Sequence, residues 1–187
     1  MQIKEIKIYS FDELSGAAKE RALKAHEEYL SQSFDAEYIM QEWCARLRSV
    51  GFSGVEVNYS GFGGQGDGAC FTATALDCQL FALSLKKPEL MNAAATCGFQ
   101  ATIKHKGRYY YAGSTEIFTT SEESSDLLEQ FEAELKKYRL EVGNAIYAEL
   151  ESAYFGSVER ENVLEDLKNS EYEFFSNGEI INPKIFE

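Results

Sequence analysis

The stretch Tyr59-Ser60-Gly61-Phe62-Gly63-Gly64-Gln65-Gly66-Asp67-Gly68-Ala69-Cys70-Phe71 sets the tightest condition on the fold. Five glycines sit between two alternating runs. Val55, Val57 and Tyr59 share one face of the run that enters it, and Phe71, Ala73 and Ala75 share one face of the run that leaves. Glycine reaches left-handed backbone without steric cost, but loses the most conformational entropy on folding. So much glycine in one place implies an unusual backbone path. The pattern predicts a shaped β-hairpin whose loop carries Phe62 and presents Gln65 and Asp67 at its tip.

The remaining elements follow from periodicity. Ile3, Ile6 and Ile8 alternate with charged residues and predict a first strand over residues 2–9. Ser15 caps a helix to about Gln32, whose stripe reads Ala18, Ala22, Ala25 and Tyr29, with Leu23 and Leu30 beside it. On it Glu20 and Lys24 are spaced to pair, and His26 reads as an exposed or edge residue. Asp35 caps a second helix to Val50, with Ile39, Trp43, Leu47 and Val50 as its buried stripe and Tyr38 alongside. Arg46 and Arg48 near its end complement the helix dipole. Asp77 opens a third helix, and Pro88 stands at the first position of a fourth that Gly98 ends. Phe99, Ala101, Ile103 and His105 then alternate with Gln100, Thr102 and Lys104. A turn at Lys106-Gly107 sends a second strand back from Arg108 to Thr119, which Tyr109, Tyr110 and Tyr111 are expected to hold by cross-strand aromatic pairing.

From Ser124 or Ser125 to Phe155, Leu128, Phe131, Leu135, Tyr138, Val142, Ile146 and Leu150 recur at helical spacing. A helix of that length spans about 45 Å. A short helix around Val163, Leu164 and Leu167 and a terminal hairpin through Tyr172–Phe175 and Ile180-Ile181 complete the chain. Strands and helices mix without a regular βαβ repeat. That pattern predicts an α+β fold: an antiparallel sheet of hairpins packed against helices, including one long helix near 126–155. At 187 residues without a linker or repeat, one domain over 1–187 is the economical expectation.

Charge narrows the partner classes. The net charge is −13, and residues 121–187 carry −11 of it, with 17 acidic against 6 basic side chains. Such a field repels phosphates, so no direct nucleic-acid binding is expected. It suits a protein partner with a basic surface, or a mimic of nucleic acid, and equally a solvated helix face. Glu129 and Glu132 lie off the apolar stripe of the long helix and are the candidate contacts for such a partner. No apolar run has membrane-spanning length, and Met1-Gln2-Ile3-Lys4 reads as a strand start in place of a signal peptide. Cys44, Cys70, Cys78 and Cys97 are scattered, which fits free thiols in a reducing cytoplasm, with no metal or cofactor expected.

Ser60-Gly61-Phe62, followed by Gln65-Gly66-Asp67-Gly68-Ala69-Cys70-Phe71, resembles a motif of a family of small phage and prophage proteins. Some members carry the label antitoxin of toxin–antitoxin stability system, N-terminal. The opening Ile8-Tyr9-Ser10-Phe11-Asp12-Glu13-Leu14-Ser15 and the late Tyr172-Glu173-Phe174 before Asn177-Gly178 are similar to that family too. Gly63-Gly64 departs from the bulkier residues typical there. The resemblance implies a phage- or prophage-encoded protein in the host cytoplasm, counter-defence or antitoxin-like, and no catalytic residue.

Two function classes stand at this point. In one the chain is an acidic interaction protein that binds and modulates a host or phage macromolecule. In the other the glycine loop forms a small-ligand or hydrolase site around Gln65 and Asp67, with Cys70 beside it. The loop lacks the lysine of a phosphate-binding P-loop, and Asp67 would repel an anion. One carboxylate is also too few for calcium. An aspartate that hydrogen-bonds its own loop amides is the structural alternative.

Overall fold

The computed structural model describes residues 6–122 and 126–181. Residues 2–5 of the expected first strand and the Ser124 or Ser125 helix start lie outside them. In chain order the elements are a 3-10 turn (Phe11–Glu13), α1 (Gly16–Gln32), α2 (Glu37–Ser49), β1 (Phe52–Ser53), β2 (Glu56–Ser60) and β3 (Gly68–Thr72). They continue with β4 (Ala75–Leu76), α3 (Cys78–Ser84), α4 (Pro88–Thr96), β5 (Gln100–His105), β6 (Thr115–Thr120), α5 (Asp126–Val158) and α6 (Arg160–Asn169). The fold is α+β, with antiparallel hairpins packed against helices. Two compact units divide it: one from Ala36–Glu151, the other from the two ends of the chain, up to Asp35 and from Ser152 onward.

The unit from Ala36–Glu151 holds all six strands. Within it β2 pairs β3 with Ser60 opposite Gly68, so the glycine loop closes as a hairpin. The β5–β6 hairpin joins through a bridge between Ala73 and Ile103, with N–H···O distances of 3.0 Å in both directions. Its core is a chain of rings. Phe52 meets Phe71 at 5.2 Å and Phe81 at 5.7 Å, Phe81 meets Phe131 at 5.7 Å, and Phe131 meets Phe99 at 5.5 Å. Mostly edge-to-face contacts of this kind place ring hydrogens on ring faces, which the aromatic quadrupole favours. The stripe of α5 is buried as its periodicity requires, at Phe131, Leu135, Val142, Ile146 and Leu150. Asp77 caps α3, its carboxylate accepting from the Gln79 and Leu80 amides at 3.1 and 2.9 Å.

Three expectations for this unit need correction. The strand after the Lys106-Gly107 turn begins at Thr115, not Arg108, and Tyr109–Tyr111 belong to its loop. Ser114 ends the loop by bonding Tyr111 three times: its N–H and its Oγ–H donate to the Tyr111 carbonyl at 2.8 and 2.7 Å, and its Oγ accepts from the Tyr111 N–H at 3.0 Å. Cross-strand pairs are therefore Ile103 with Ile117 and Thr102 with Phe118, and no tyrosine takes part. The second helix starts at Glu37 with Ala36 in the cap position, not Asp35. Of its stripe only Leu47 is fully buried, and Tyr38 is 71% exposed. Trp43 stays half-buried because its indole N–H donates to Glu149 at 2.9 Å while Arg46 lies 4.7 Å over its ring.

The other unit packs α1 on α6 around Phe11, Leu14, Ala18, Ala22, Leu23, Val163, Leu167 and Phe174. Its strand pairing reduces to bridges from Phe174 to Tyr9 and to Ile180, so Ile6 and Ile8 do not form the expected strand. The α1 stripe also turns from the expected one. Ala25 and Tyr29 face solvent, and His26 is buried, 2% exposed, with Nε2 2.6 Å from Asp166 Oδ2. Tyr29 stacks on it at 5.8 Å and Tyr172 meets it edge-on at 5.7 Å. Glu20 pairs with Arg160 at 2.5 Å instead of with Lys24, which reaches Glu28 at 3.9 Å.

Candidate functional site

The glycine loop is closed by its own residues. Asp67 accepts the Gly64 N–H on its carboxylate at 2.5 Å and donates its own N–H to the Gly64 carbonyl at 3.3 Å. A Cβ added at Gly61 or Gly64 would stand 3.1 Å from that carboxylate, so glycine at both lets Asp67 fold inward. Phe62 stacks between Tyr59, at 5.4 Å, and Tyr147 of α5, at 5.9 Å, and so anchors the loop. Gln65 is exposed at the tip.

A second loop covers the first. The Tyr109 ring lies 3.2 Å from where a Cβ of Gly66 would be, and a Cβ on Gly68 would stand 2.6 Å from Tyr111 Cβ. The Tyr110 N–H donates to Ser60 Oγ at 2.7 Å. His105 Nε2 lies 3.2 Å from the Tyr109 carbonyl, and its ring is 4.5 Å from that of Tyr110. Behind both loops Gly143 of α5 lets the helix approach Ala112 and the Ala69 carbonyl, each 2.9 Å from a Cβ placed there. The glycines are therefore spacers for two loops and a helix. Sequence reasoning placed the tyrosines on a strand and missed this role, although Gly143 inside an apolar helix stripe marked a close approach.

Cys70 lies under this assembly and is 1% exposed. Burial pushes its thiol up, against the opposing influence of the Ser114 hydrogen bond and the Arg139 charge. The Arg139 guanidinium is spent on the Thr115 carbonyl and, at 2.9 Å, on the Thr115 hydroxyl. Burial pushes the Cys78 thiol up to about 12. A protonated, buried thiol is a poor nucleophile. Among the described residues, no group of three or more His, Cys, Asp or Glu side chains is placed to hold a metal ion.

The acidic candidates separate. Glu129 is exposed, whereas Glu132 accepts from the Thr119 hydroxyl and from Lys136 Nζ at 3.0 Å. The Thr119 hydrogen bond, then Lys136, holds the Glu132 carboxyl below its ordinary value. Elsewhere on α5, Glu134 pairs with Lys87 at 2.6 Å and Glu149 with Arg46 at 3.2 Å. Uncompensated charge lies further along, in the unit built from the chain ends. Glu159, Glu161, Glu165, Glu171 and Glu173 are exposed, and none is in an ion pair among the described residues. Glu171 and Glu173, with Asp12, Glu13 and Lys168, line a groove of about 550 Å³. The same groove exposes Ile8 and Tyr172, which are 46% and 36% accessible.

Residues 29–158 match the family described as Domain of unknown function (DUF8835). No curated protein and no solved structure matches the chain.

Proposed function

The chain belongs to the family described as Domain of unknown function (DUF8835), and we propose that it is an acidic interaction protein that binds a basic surface on a host or phage protein and modulates it. Phage or prophage origin, a place in the host cytoplasm and a counter-defence or antitoxin-like role belong to this proposal and rest on the resemblance of its Ser60–Phe71 motif. One observation carries the binding mode. Glu159, Glu161, Glu165, Glu171 and Glu173 face solvent and, among the described residues, are in no ion pair, and Glu171 and Glu173 line a groove with Phe11, Leu167 and Lys168. Exposed ion-pair partners are thereby left for another molecule, and Ile8 and Tyr172 offer it apolar contact. The competing ligand or hydrolase reading would have to use Gln65, because Asp67 spends its carboxylate on Gly64 and Phe62 its ring on Tyr59 and Tyr147.

The test is capture from a host lysate by the native chain and by the Glu165→Lys/Glu171→Lys variant across a salt series. Both positions lie off the buried Val163 and Leu167, so the fold survives, as circular dichroism checks. Partners held electrostatically are lost at high salt and by the variant, because exposed charges are screened beyond about 8 Å at physiological ionic strength. Equal capture of the same partners by both proteins would overturn the acidic-surface reading.

A further inference from the structure

The longest acid-free stretch of this acidic chain runs from Leu90 to Thr115 and contains Lys104, Lys106 and Arg108. It folds as α4, β5 and the loop before β6, so the three cations gather at one end of the β5–β6 hairpin. Lys106 pairs with Glu116 at 3.5 Å. Lys104 stands opposite Glu116 in the strand register, but among the described residues neither it nor Arg108 is in an ion pair; Lys104 Nζ lies 5.3 Å from the Phe118 ring centroid and the Arg108 guanidinium 5.4 Å from that of Tyr109. Phe118, Tyr109 and Tyr111 are each 46% exposed. Tyr109 and Tyr111 are also fixed in place by the glycine loop. Rigid, half-exposed aromatics beside uncompensated cations are what an interface core presents before its partner arrives, because little side-chain entropy is left to lose. Lys104 also borders a groove of about 430 Å³ lined by Glu56, Thr72, Thr74, Thr102 and Ile103.

We propose that this hairpin face docks the acidic 159–173 region of a second copy of the chain. Charge complementarity supplies the argument. The chain itself displays a segment whose carboxylates outnumber its cations Arg160 and Lys168, five of them in no ion pair among the described residues, together with an exposed Tyr172, which matches a surface of cations and exposed rings. The contact is heterologous, joining two different patches, so it either closes into a ring or continues as an open chain of subunits. It rests on the acidic surface proposed above but assigns it a different occupant, and self-association would compete with the external partner for the same carboxylates.

Sedimentation velocity of the full chain tests it. At low salt the native chain shows concentration-dependent assembly that disperses at high salt. The Lys104→Glu/Arg108→Glu variant weakens that assembly about tenfold or more, as loss of close interfacial charge pairs does, and still captures external partners. Failure of the self-contact is thus separable from failure of the acidic-surface reading. The Glu165→Lys/Glu171→Lys variant also stays dispersed alone. Mixing the two variants gives a heterodimer and nothing larger, because the first retains the native acidic segment and the second the native hairpin, which leaves one working contact per pair. Three results overturn the proposal: a monomer at every concentration in low salt, assembly unaffected by Lys104→Glu/Arg108→Glu, or no heterodimer on mixing. Binding of a labelled oligothymidylate by the native chain, lost in Lys104→Glu/Arg108→Glu, would instead assign the face to nucleic acid.

Discussion

At the scale of single residues, Gly143 gives the sharpest test of the spacer reading. In an exposed helix interior, Gly→Ala stabilises by about 1 kcal/mol. Here a Cβ would meet Ala112 Cα and the Ala69 carbonyl at 2.9 Å, and backbone cannot move aside cheaply. Gly143→Ala is therefore expected to destabilise by about 1–3 kcal/mol in chemical denaturation, the cost of overpacking. A gain in stability would show that helix and loops have slack. Asp67→Ala removes the acceptor for the Gly64 amide and costs about 1 kcal/mol, as loss of a capping-type bond does. A variant of native stability that loses partner binding would instead make the loop a functional site. The inward role of Asp67 was legible because aspartate and acceptor amide are three residues apart. His26 was not: the side chain that accompanies its burial, Asp166, is 140 positions away, and no local pattern announces it.

At the scale of elements, α5 was the most legible, since a stripe sustained over its length has only one periodicity. What that stripe could not reveal is the work of the residues beside it. Glu129 and Glu132 look equivalent in sequence, yet only Glu132 is bonded to Thr119 of β6 and to Lys136. Its folded-state pKa is depressed. Its contribution to stability is therefore present above the ordinary carboxylate pKa and is lost as pH falls below it toward the folded value. Glu132→Gln is expected to flatten the acid limb of a stability–pH curve in that window relative to the native chain. Identical acid limbs for the variant and the native chain would remove Glu132 from the β6 contact. The β6 strand itself was misread at its start because tyrosine favours strands in general. The Tyr109 ring packs on Gly66 of the facing loop, the Tyr111 backbone and Cβ pack on Gly68, and the Tyr110 ring lies beside His105, so none takes a cross-strand neighbour on β6.

At the scale of the whole molecule, the charge asymmetry along the chain does not carry over to its units. The end-built unit holds 15 acidic and 8 basic side chains, and Ala36–Glu151 holds 16 and 10, so the two carry −7 and −6. Each unit thus repels itself. Opposing that are eight lysine or arginine ion pairs among the described residues, most with partly exposed partners. Exposed pairs of this kind contribute about 0–1 kcal/mol each and weaken in salt. The 31 carboxylates far outnumber the pairs, so self-repulsion is the larger electrostatic quantity and screening it is the larger effect. Raising sodium chloride from about 10 mM to about 150 mM shortens the screening length from about 30 Å to about 8 Å. The melting temperature of the native chain is expected to rise over that range. It should rise less in Glu165→Lys/Glu171→Lys, where part of the repulsion is already removed. A melting temperature that falls with salt would mean that the ion pairs outweigh the repulsion. The carboxylates of residues 159–173 would then belong to the fold's own balance of charge and would no longer stand out as a surface awaiting a partner.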